Sequence, residues 1–397
     1  MLFVFWLYLG FLGFVGLTVF YLAAFAVAGR FGGADDVNLG TNPAVFRKIG
    51  VLIPAYKEDA VILESVKVNL SQQYPADRFD LIVIADSFQP QTLAQLAELP
   101  VIVLEVSFAV STVAKAINEA LSRLPEDKYD ILVVSDADNH MAPDFLSRIN
   151  RAFEQGWQAV QGHRVAKNMH TSVAVLDAIS EEINNHIFRK GSRALGLSSS
   201  VIGSGMAFEP VLMKTAMANL QTMGGYDKEL EMNVVLSGRK IAYLEDAFIY
   251  DEKVANSAVF ENQRTRWIAA QWQFLKIYFR KGLTELRSGR LSSGFKVVQA
   301  LILPKVLLLG LLSVCTLVGF FSSQPVAWAL PLGLLLVLGT SLLISVPGYL
   351  WKRVSVKELL LIPVLMLSFA RAMLNMRKAF KNFLHTPHSG EPDGATS

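Results

Sequence analysis

Apolar positions follow two different patterns along this chain. Residues 1–29, MLFVFWLYLGFLGFVGLTVFYLAAFAVAG, carry no charged side chain, and that run exceeds the roughly 20 residues a helix needs to cross a bilayer. From Val306 to Trp351 charge is again absent, and SSQP at 322–325 divides the run into two helix-length halves. This predicts a membrane hairpin with transmembrane helices over 297–321 and 326–350, with Pro304 and Lys305 at its start. In a last apolar stretch, 358–376, Arg371 closes the uncharged run after about a dozen residues, a length that suits a re-entrant segment as well as a span.

Between about residues 45 and 258 short apolar runs alternate with helix-period segments. IGVLIPAY, DLIVIAD, VIVLEV and DILVVSD read as strands, separated by stretches such as STVAKAINEALSRL. The alternation predicts an α/β domain with a largely parallel sheet. APDFLSRINRAF reads as a helix, SVIGSGMAFEP as a strand-like run around a Gly-Ser-Gly turn, and a helix from near Asp227 stops at Gly238 before a strand from Lys240 to about Tyr250. Residues 259–290 are helix-patterned, aromatic and basic, as in an amphipathic helix lying on a membrane face. A basic tail occupies 377–397.

Composition supports the membrane reading: 52% of the 397 residues are hydrophobic and only 18% are charged, richer than a soluble domain requires. The first segment also ends in AVAG, which mimics a signal-peptide cleavage site. Its length and the lack of a preceding basic residue favour a retained anchor. Arg30, Arg47 and Lys48 follow the first span, Arg280, Lys281, Arg287, Arg290 and Lys296 approach the second, and Lys352, Arg353 and Lys357 follow the third. The positive-inside rule makes all of these cytoplasmic. The expectation is a multi-pass protein of the cell's inner or plasma membrane, its soluble domain in the cytoplasm. The basic tail conflicts with a crossing at 358–376. Because topology accounts for the basic residues, the net charge of +3 points to no nucleic-acid partner, and the single Cys315 excludes a disulfide framework or a cysteine zinc site.

Ligands of open α/β sheets collect beyond the carboxyl ends of the strands. Tyr56, Lys57 and Glu58 end the first run, Asp86 the second, and Asp136 and Asp138 the fourth. Carboxylates converging on one sheet edge call for a hard divalent cation with oxygen ligands, and Mg²⁺ takes one or two carboxylates together with substrate phosphates. Alternatively, Asp138 or Asn139 caps the following helix. Gly203, Ser204 and Gly205 either let backbone approach a ligand or form a simple tight turn. Asp227 is either an N-cap or a carboxylate at the mouth of a site. Gln263, Arg266 and Trp267, at i, i+3 and i+4, share one helix face.

Together these residues resemble the membrane-integrated family 2 glycosyltransferases, a group that includes cellulose, chitin and hyaluronan synthases and ceramide glucosyltransferases. The resemblance covers roughly residues 45–285. It rests on PAYKE, the Asp after the second strand, Lys115 in AKAIN, Asp136-x-Asp138, GSGMAF, YDKEL and Gln263-x-x-Arg266-Trp267, in that order. It implies a GT-A, Rossmann-like nucleotide-sugar domain embedded between transmembrane helices. By resemblance, Pro54, Tyr56, Glu58, Asp86, Lys115 and Asp136 hold the nucleotide-sugar, and Asp138 with Asp136 binds Mg²⁺ or Mn²⁺ on the diphosphate. Asp227 is the base, while Gly203, Ser204, Gly205, Gln263, Arg266 and Trp267 serve the acceptor and diphosphate.

The implied reaction is inverting transfer of a hexosyl or N-acetylhexosaminyl group from a UDP-sugar to an acceptor hydroxyl at the inner membrane face, in polysaccharide biosynthesis. The alternatives are a single transfer onto a lipid acceptor such as ceramide, diacylglycerol or a polyprenyl carrier, and a non-catalytic nucleotide-binding membrane scaffold. One departure stands out: Tyr226 precedes Asp227 where the family often has Glu. The sequence identifies neither the sugar nor any partner subunit.

Overall fold

The computed structural model describes residues 2–33, 35, 44–218, 220–221, 224–254 and 257–379. The chain forms two units, one built from Asp35–Asn168 and Ser198–Glu252, the other from Met1–Ala34, Met169–Leu197 and Lys253–Leu384.

The first unit is organised by an eight-stranded sheet. Its strands are β1 (Ile49–Tyr56), β2 (Phe79–Asp86), β3 (Ile102–Val106), β4 (Ile131–Val134), β5 (His140–Met141), β6 (Ala159–Ala166), β7 (Met206–Phe208) and β8 (Ala242–Asp251), in spatial order β3-β2-β1-β4-β7-β6-β8-β5. β1 pairs in parallel with β2 and β4, β2 with β3, and β6 with β8. The expectation of a largely parallel sheet needs correcting on one side: β7 runs antiparallel to both β4 and β6, and β5 antiparallel to β8, so the sheet is mixed.

The central strands are buried on both faces, as crossover helices require. Alternate residues of β1 enter different cores. Val51 and Ile53 pack with Val83, Val133, Phe145 and Ile149, whereas Leu52 packs with Ile84, Leu132, Ile117 and Phe208. Register sets Tyr56 opposite Asp86, Asp86 opposite Val106 and Leu52 opposite Val134, which brings the chemistry-bearing ends of β1, β2 and β4 to one edge.

The helix read in APDFLSRINRAF spans Phe145–Glu154, with Asp144 at its N-cap. Asp144 makes no capping bond there and instead accepts from Arg148 Nε at 2.7 Å. Neither Asp138 nor Asn139 caps this helix, because β5 intervenes. The helix expected near Asp227 spans Tyr226–Leu236, and Gly225 occupies its N-cap. Asp227 is therefore inside the first turn and is not the cap.

In the second unit, Phe5–Phe31 and Val326–Ile344 are long and apolar enough to cross a membrane. Leu291–Leu301 and Lys305–Gly319 are bent by 55° at their junction and meet the same test as a pair, which brings the candidate spans among the described residues to three at most. The break falls within the segment read as one helix over 297–321, where Pro304 lacks the amide to continue a helix and stands at the N-cap of Lys305–Gly319. Val356–Ala379 forms one helix with Pro363 inside it. Val15, Val19 and Leu22 of the first helix pack with Leu308, Leu312, Leu334 and Leu338.

Candidate functional site

At the ends of β1 and β2 the backbone is tightly constrained. Lys57 N–H donates to Asp86 O at 3.0 Å, and both residues just past the strands take left-handed conformations, Lys57 at φ 56° and Ser87 at φ 61°. Non-glycine residues held this way cost about 1–3 kcal/mol each and concentrate at ligand clamps. No sequence feature announced them. Ser87 Oγ donates to Asp86 Oδ1 at 2.9 Å, and Gln89 N–H to Asp59 Oδ1 at 2.9 Å, linking the two loops. Asp86 and Pro54 are buried, while Tyr56 and Glu58 are partly exposed. The Glu58 carbonyl accepts from the amides of Val61 and Ile62, where the helix Ile62–Asn69 begins.

Lys115 is supplied by a separate helix. It lies in the first turn of the helix Val113–Arg123, where Thr112 caps its amide, and its ammonium donates to Val110 O at 2.7 Å. Its side chain is exposed and held by its own loop.

The Asp136–Asp138 segment is fixed from three directions. Ser135 N–H donates to Leu52 O at 3.0 Å, continuing the β1 pairing. Asp136 N–H donates to Ser204 Oγ at 3.0 Å. With its amide turned to satisfy both ends, Asn139 accepts from Ser204 Oγ at 2.6 Å and donates to Asp138 Oδ1 and Asp251 Oδ1, each at 3.1 Å. The Asn139 carbonyl accepts from Ser65 Oγ and Asn69 Nδ2, both at 2.9 Å, and Asn69 Oδ1 accepts from Met141 N–H at 2.7 Å. Asn139, Ser65, Asn69 and Ser204 are all buried, as is Asp138, whereas Asp136 is half-buried. Ser65 and Asn69 carry this support from the helix Ile62–Asn69. Their signal was two small polar residues at i and i+4 on the apolar side of ILESVKVN.

Among the described residues no group of three or more His, Cys, Asp or Glu side chains forms a metal cage. Asp136 and Asp138, at the end of β4, offer two carboxylates, the number Mg²⁺ takes when phosphate oxygens and water fill the rest of its shell. On that chemistry the residues fit Mg²⁺ or Mn²⁺ arriving with a diphosphate.

Across the sheet edge, Gly203 (φ 84°) and Gly205 (φ 66°) flank Ser204 in left-handed conformations. Gly205 N–H donates to Val134 O at 2.8 Å and Gly205 O accepts from Gly162 N–H at 2.7 Å, so the turn is stitched to β4 and β6. A Cβ on Gly205 would meet Ile249 Cγ2 at 2.7 Å. One on Gly203 would meet only Tyr226 Oη at 3.8 Å and Asp227 Oδ2 at 4.0 Å, so the space over Gly203 is open and bounded by the Asp227 carboxylate. Burial raises the Asp227 pKa, with Glu231 adding to the effect and Lys228 and Arg164 opposing it. A carboxylate shifted upward is suited to accept a proton. Burial also raises the Tyr226 hydroxyl well above its ordinary value, with Asp136 and Asp227 adding to it.

Gln263, Arg266 and Trp267 belong to the second unit, on the long helix Ser257–Arg287. Trp267 is exposed, and burial lowers the Arg266 pKa. Their neighbour Arg264 was not singled out by the sequence. It is ion-paired with Asp177, and its guanidinium lies 4.0 Å from the Trp267 ring centroid and 4.5 Å from that of Phe260. Cation–π contact of this kind orients the indole.

Residues 47–270, more than half of the chain, match the family described as glycosyltransferase like family 2. The chain belongs to glycosyltransferase family 2. Among solved structures it is similar to the mannosyltransferase PcManGT from Pyrobaculum calidifontis in complex with GDP-Man and Mn²⁺, with a TM-score of 0.51 at 16% identity over 83% of this chain and 97% of that one. The sheet-bearing unit accordingly has the GT-A fold.

Among curated proteins the chain is 26% identical over 259 residues to the probable glycosyltransferase YdaM of Bacillus subtilis, covering 62% of this chain and 60% of that one. It is 23% identical over 249 residues to the beta-monoglucosyldiacylglycerol synthase of Synechocystis, covering 59% and 50%. Over a shorter stretch of 139 residues it is 32% identical to the glucans biosynthesis glucosyltransferase H of Rhodopseudomonas palustris, covering 31% and 19%. The chain thus spans 60% or less of the length of these curated relatives.

Proposed function

We propose that this protein transfers a sugar from a nucleotide-sugar, a UDP-sugar in the first instance, to the hydroxyl of a lipid acceptor at the cytoplasmic membrane face, inverting the anomeric centre. The observation that carries the reading is the position of Asp227. Its Oδ2 borders the open space over Gly203, on the turn whose Ser204 holds the Asp136 amide, so base and donor-binding carboxylates share one framework.

In this mechanism Pro54, Tyr56, Glu58 and Asp86 hold the nucleotide at the ends of β1 and β2, and Lys115 contributes from the first turn of its helix. Asp138 and Asp136 would hold Mg²⁺ or Mn²⁺, which supplies charge neutralisation for the leaving nucleoside diphosphate. Gly203–Gly205 lets backbone approach the transferred sugar. Asp227 removes the acceptor hydroxyl proton as that oxygen attacks the anomeric carbon from the face opposite the leaving group. For Gln263, Arg266 and Trp267, on the long helix of the second unit, the reading keeps the roles toward acceptor and diphosphate that the family resemblance implies. A single displacement of this kind turns an α-linked donor into a β-glycoside.

One observation supports the lipid acceptor: the similarity to a beta-monoglucosyldiacylglycerol synthase. A second reading, chain-forming polysaccharide synthesis, draws on the Gln263-x-x-Arg266-Trp267 set and on the shorter match to a glucan-biosynthetic enzyme. Membranes containing the protein, given labelled UDP- and GDP-sugars with Mg²⁺ or Mn²⁺, separate the two. One lipid-mobile monoglycosylated species supports the first reading and a ladder of longer products the second. Absence of turnover with every donor and acceptor contradicts both.

A further inference from the structure

The geometry points to Tyr226 as a positioning residue whose phenol sets the angle at which the base faces the donor-binding loop. This rests on Asp227 being the base. Tyr226 Oη donates to Gly203 O at 2.9 Å, a bond that a side chain without a donor could not make.

That bond ties the first turn of the helix Tyr226–Leu236 to the Gly-Ser-Gly turn. The next residue along, Ser204, accepts from the Asp136 amide at 3.0 Å and bonds Asn139. A continuous path therefore runs from the residue beside the base, through Gly203 and Ser204, to Asp136 and Asn139. The Gly203 carbonyl accepts from the phenol while its residue sits at φ 84°, and Gly205, hydrogen-bonded to β4 and β6, anchors the far side of the turn.

The helix has a second tie to the same stretch of chain: Glu231 Oε2, buried and about one and a half turns further on, accepts from Val201 N–H at 2.8 Å. The Glu231 bond sets the depth of the helix. The Tyr226 bond, at its N-terminal end, sets the angle at which Asp227 faces the space over Gly203. Losing the phenol leaves the helix in place and frees the end that bears the base. A misplacement on the order of 1 Å costs a reaction up to about 100-fold.

The experiment compares wild type, Tyr226→Phe and Asp227→Asn in steady-state transfer, with a thermal melt on each preparation. For Tyr226→Phe the expected result is a kcat lower by about 10- to 100-fold, with the donor KM within about twofold of wild type and the melt retained. An unchanged kcat, or a donor KM that rises by the same factor, overturns the proposal. If the Phe variant does not fold, Tyr226→Met takes its place with the same expectation. Asp227→Asn keeps the two levels apart. Full activity there removes the base reading itself, while an inactive Asp227→Asn beside a fully active Tyr226→Phe removes only the positioning role.

Discussion

The amide of Asp136 and the hydroxyl of Ser204, 68 residues apart in the chain, meet at 3.0 Å inside the sheet-bearing unit. Ser204 also bonds the side chain of Asn139 at 2.6 Å, so one buried hydroxyl holds both ends of the Asp136–Asn139 segment. Ser204→Ala strands both partners, and a buried polar group left without its bond costs about 1–3 kcal/mol. The variant is expected to melt at lower temperature and to bind the donor more weakly. Thermal unfolding and the donor KM check this, and a variant equal to wild type in both contradicts it.

The two glycines around Ser204 are expected to respond differently to alanine. At Gly205 the new methyl meets Ile249 within 2.7 Å and the backbone is left-handed, which combines overpacking with strain of about 1–3 kcal/mol each. At Gly203 only the conformational cost applies, because nothing lies closer than 3.8 Å. Gly205→Ala therefore loses stability first. Gly203→Ala retains more of its fold but loses activity, its methyl occupying the space beside Asp227. Paired melts and rates decide, and the reverse order of stabilities contradicts the account.

These features show where the sequence was legible and where it was not. Strand ends are local: the apolar runs closing on Tyr56, Asp86 and Ser135 can be read directly, and with them the α/β class and the edge where Asp136 and Asp138 lie. The antiparallel strands cannot be read, because β7 and β5 are only three and two residues long and carry no period of their own. Their direction is set by pairing with β4, β6 and β8. The left-handed Lys57 and Ser87 were invisible for a related reason, since nothing in either side chain prefers that conformation. Asn69 and Ser65 read as ordinary helix residues until their partner, the Asn139 carbonyl, is brought to them from about 70 positions away.

Burial holds the Asp227 pKa above the ordinary carboxylate value. The base must be ionised to act, so kcat is expected to fall as pH drops through that raised pKa, placing the acid limb above the range of an exposed aspartate. Lys228 lowers the Asp227 pKa, and Lys228→Met therefore moves the limb to still higher pH. The measurement is kcat against pH at saturating donor. An acid limb at or below the exposed-aspartate value, or one that moves down in Lys228→Met, contradicts the assignment.

In the second unit Glu285 accepts from Arg290 at 2.6 and 2.5 Å and from Ser293 at 2.8 Å. The Arg290 bonds lead in lowering its pKa to about 2. Its folded value lies below the unfolded one, so the stabilisation is complete above the unfolded value of about 4.3 and is lost as pH falls toward 2. Melts of the purified protein in detergent from pH 6 to pH 3 are expected to fall less steeply for Glu285→Gln than for wild type. Equal slopes contradict this.

The central claim is single-displacement transfer with Asp227 as base, and the anomeric configuration of the product tests it most directly. The glycolipid or glycan made by membranes from an α-linked sugar nucleotide would be isolated and its anomeric proton examined by NMR. A β linkage, absent from the Asp227→Asn reaction, is the result the account predicts. An α linkage would contradict it.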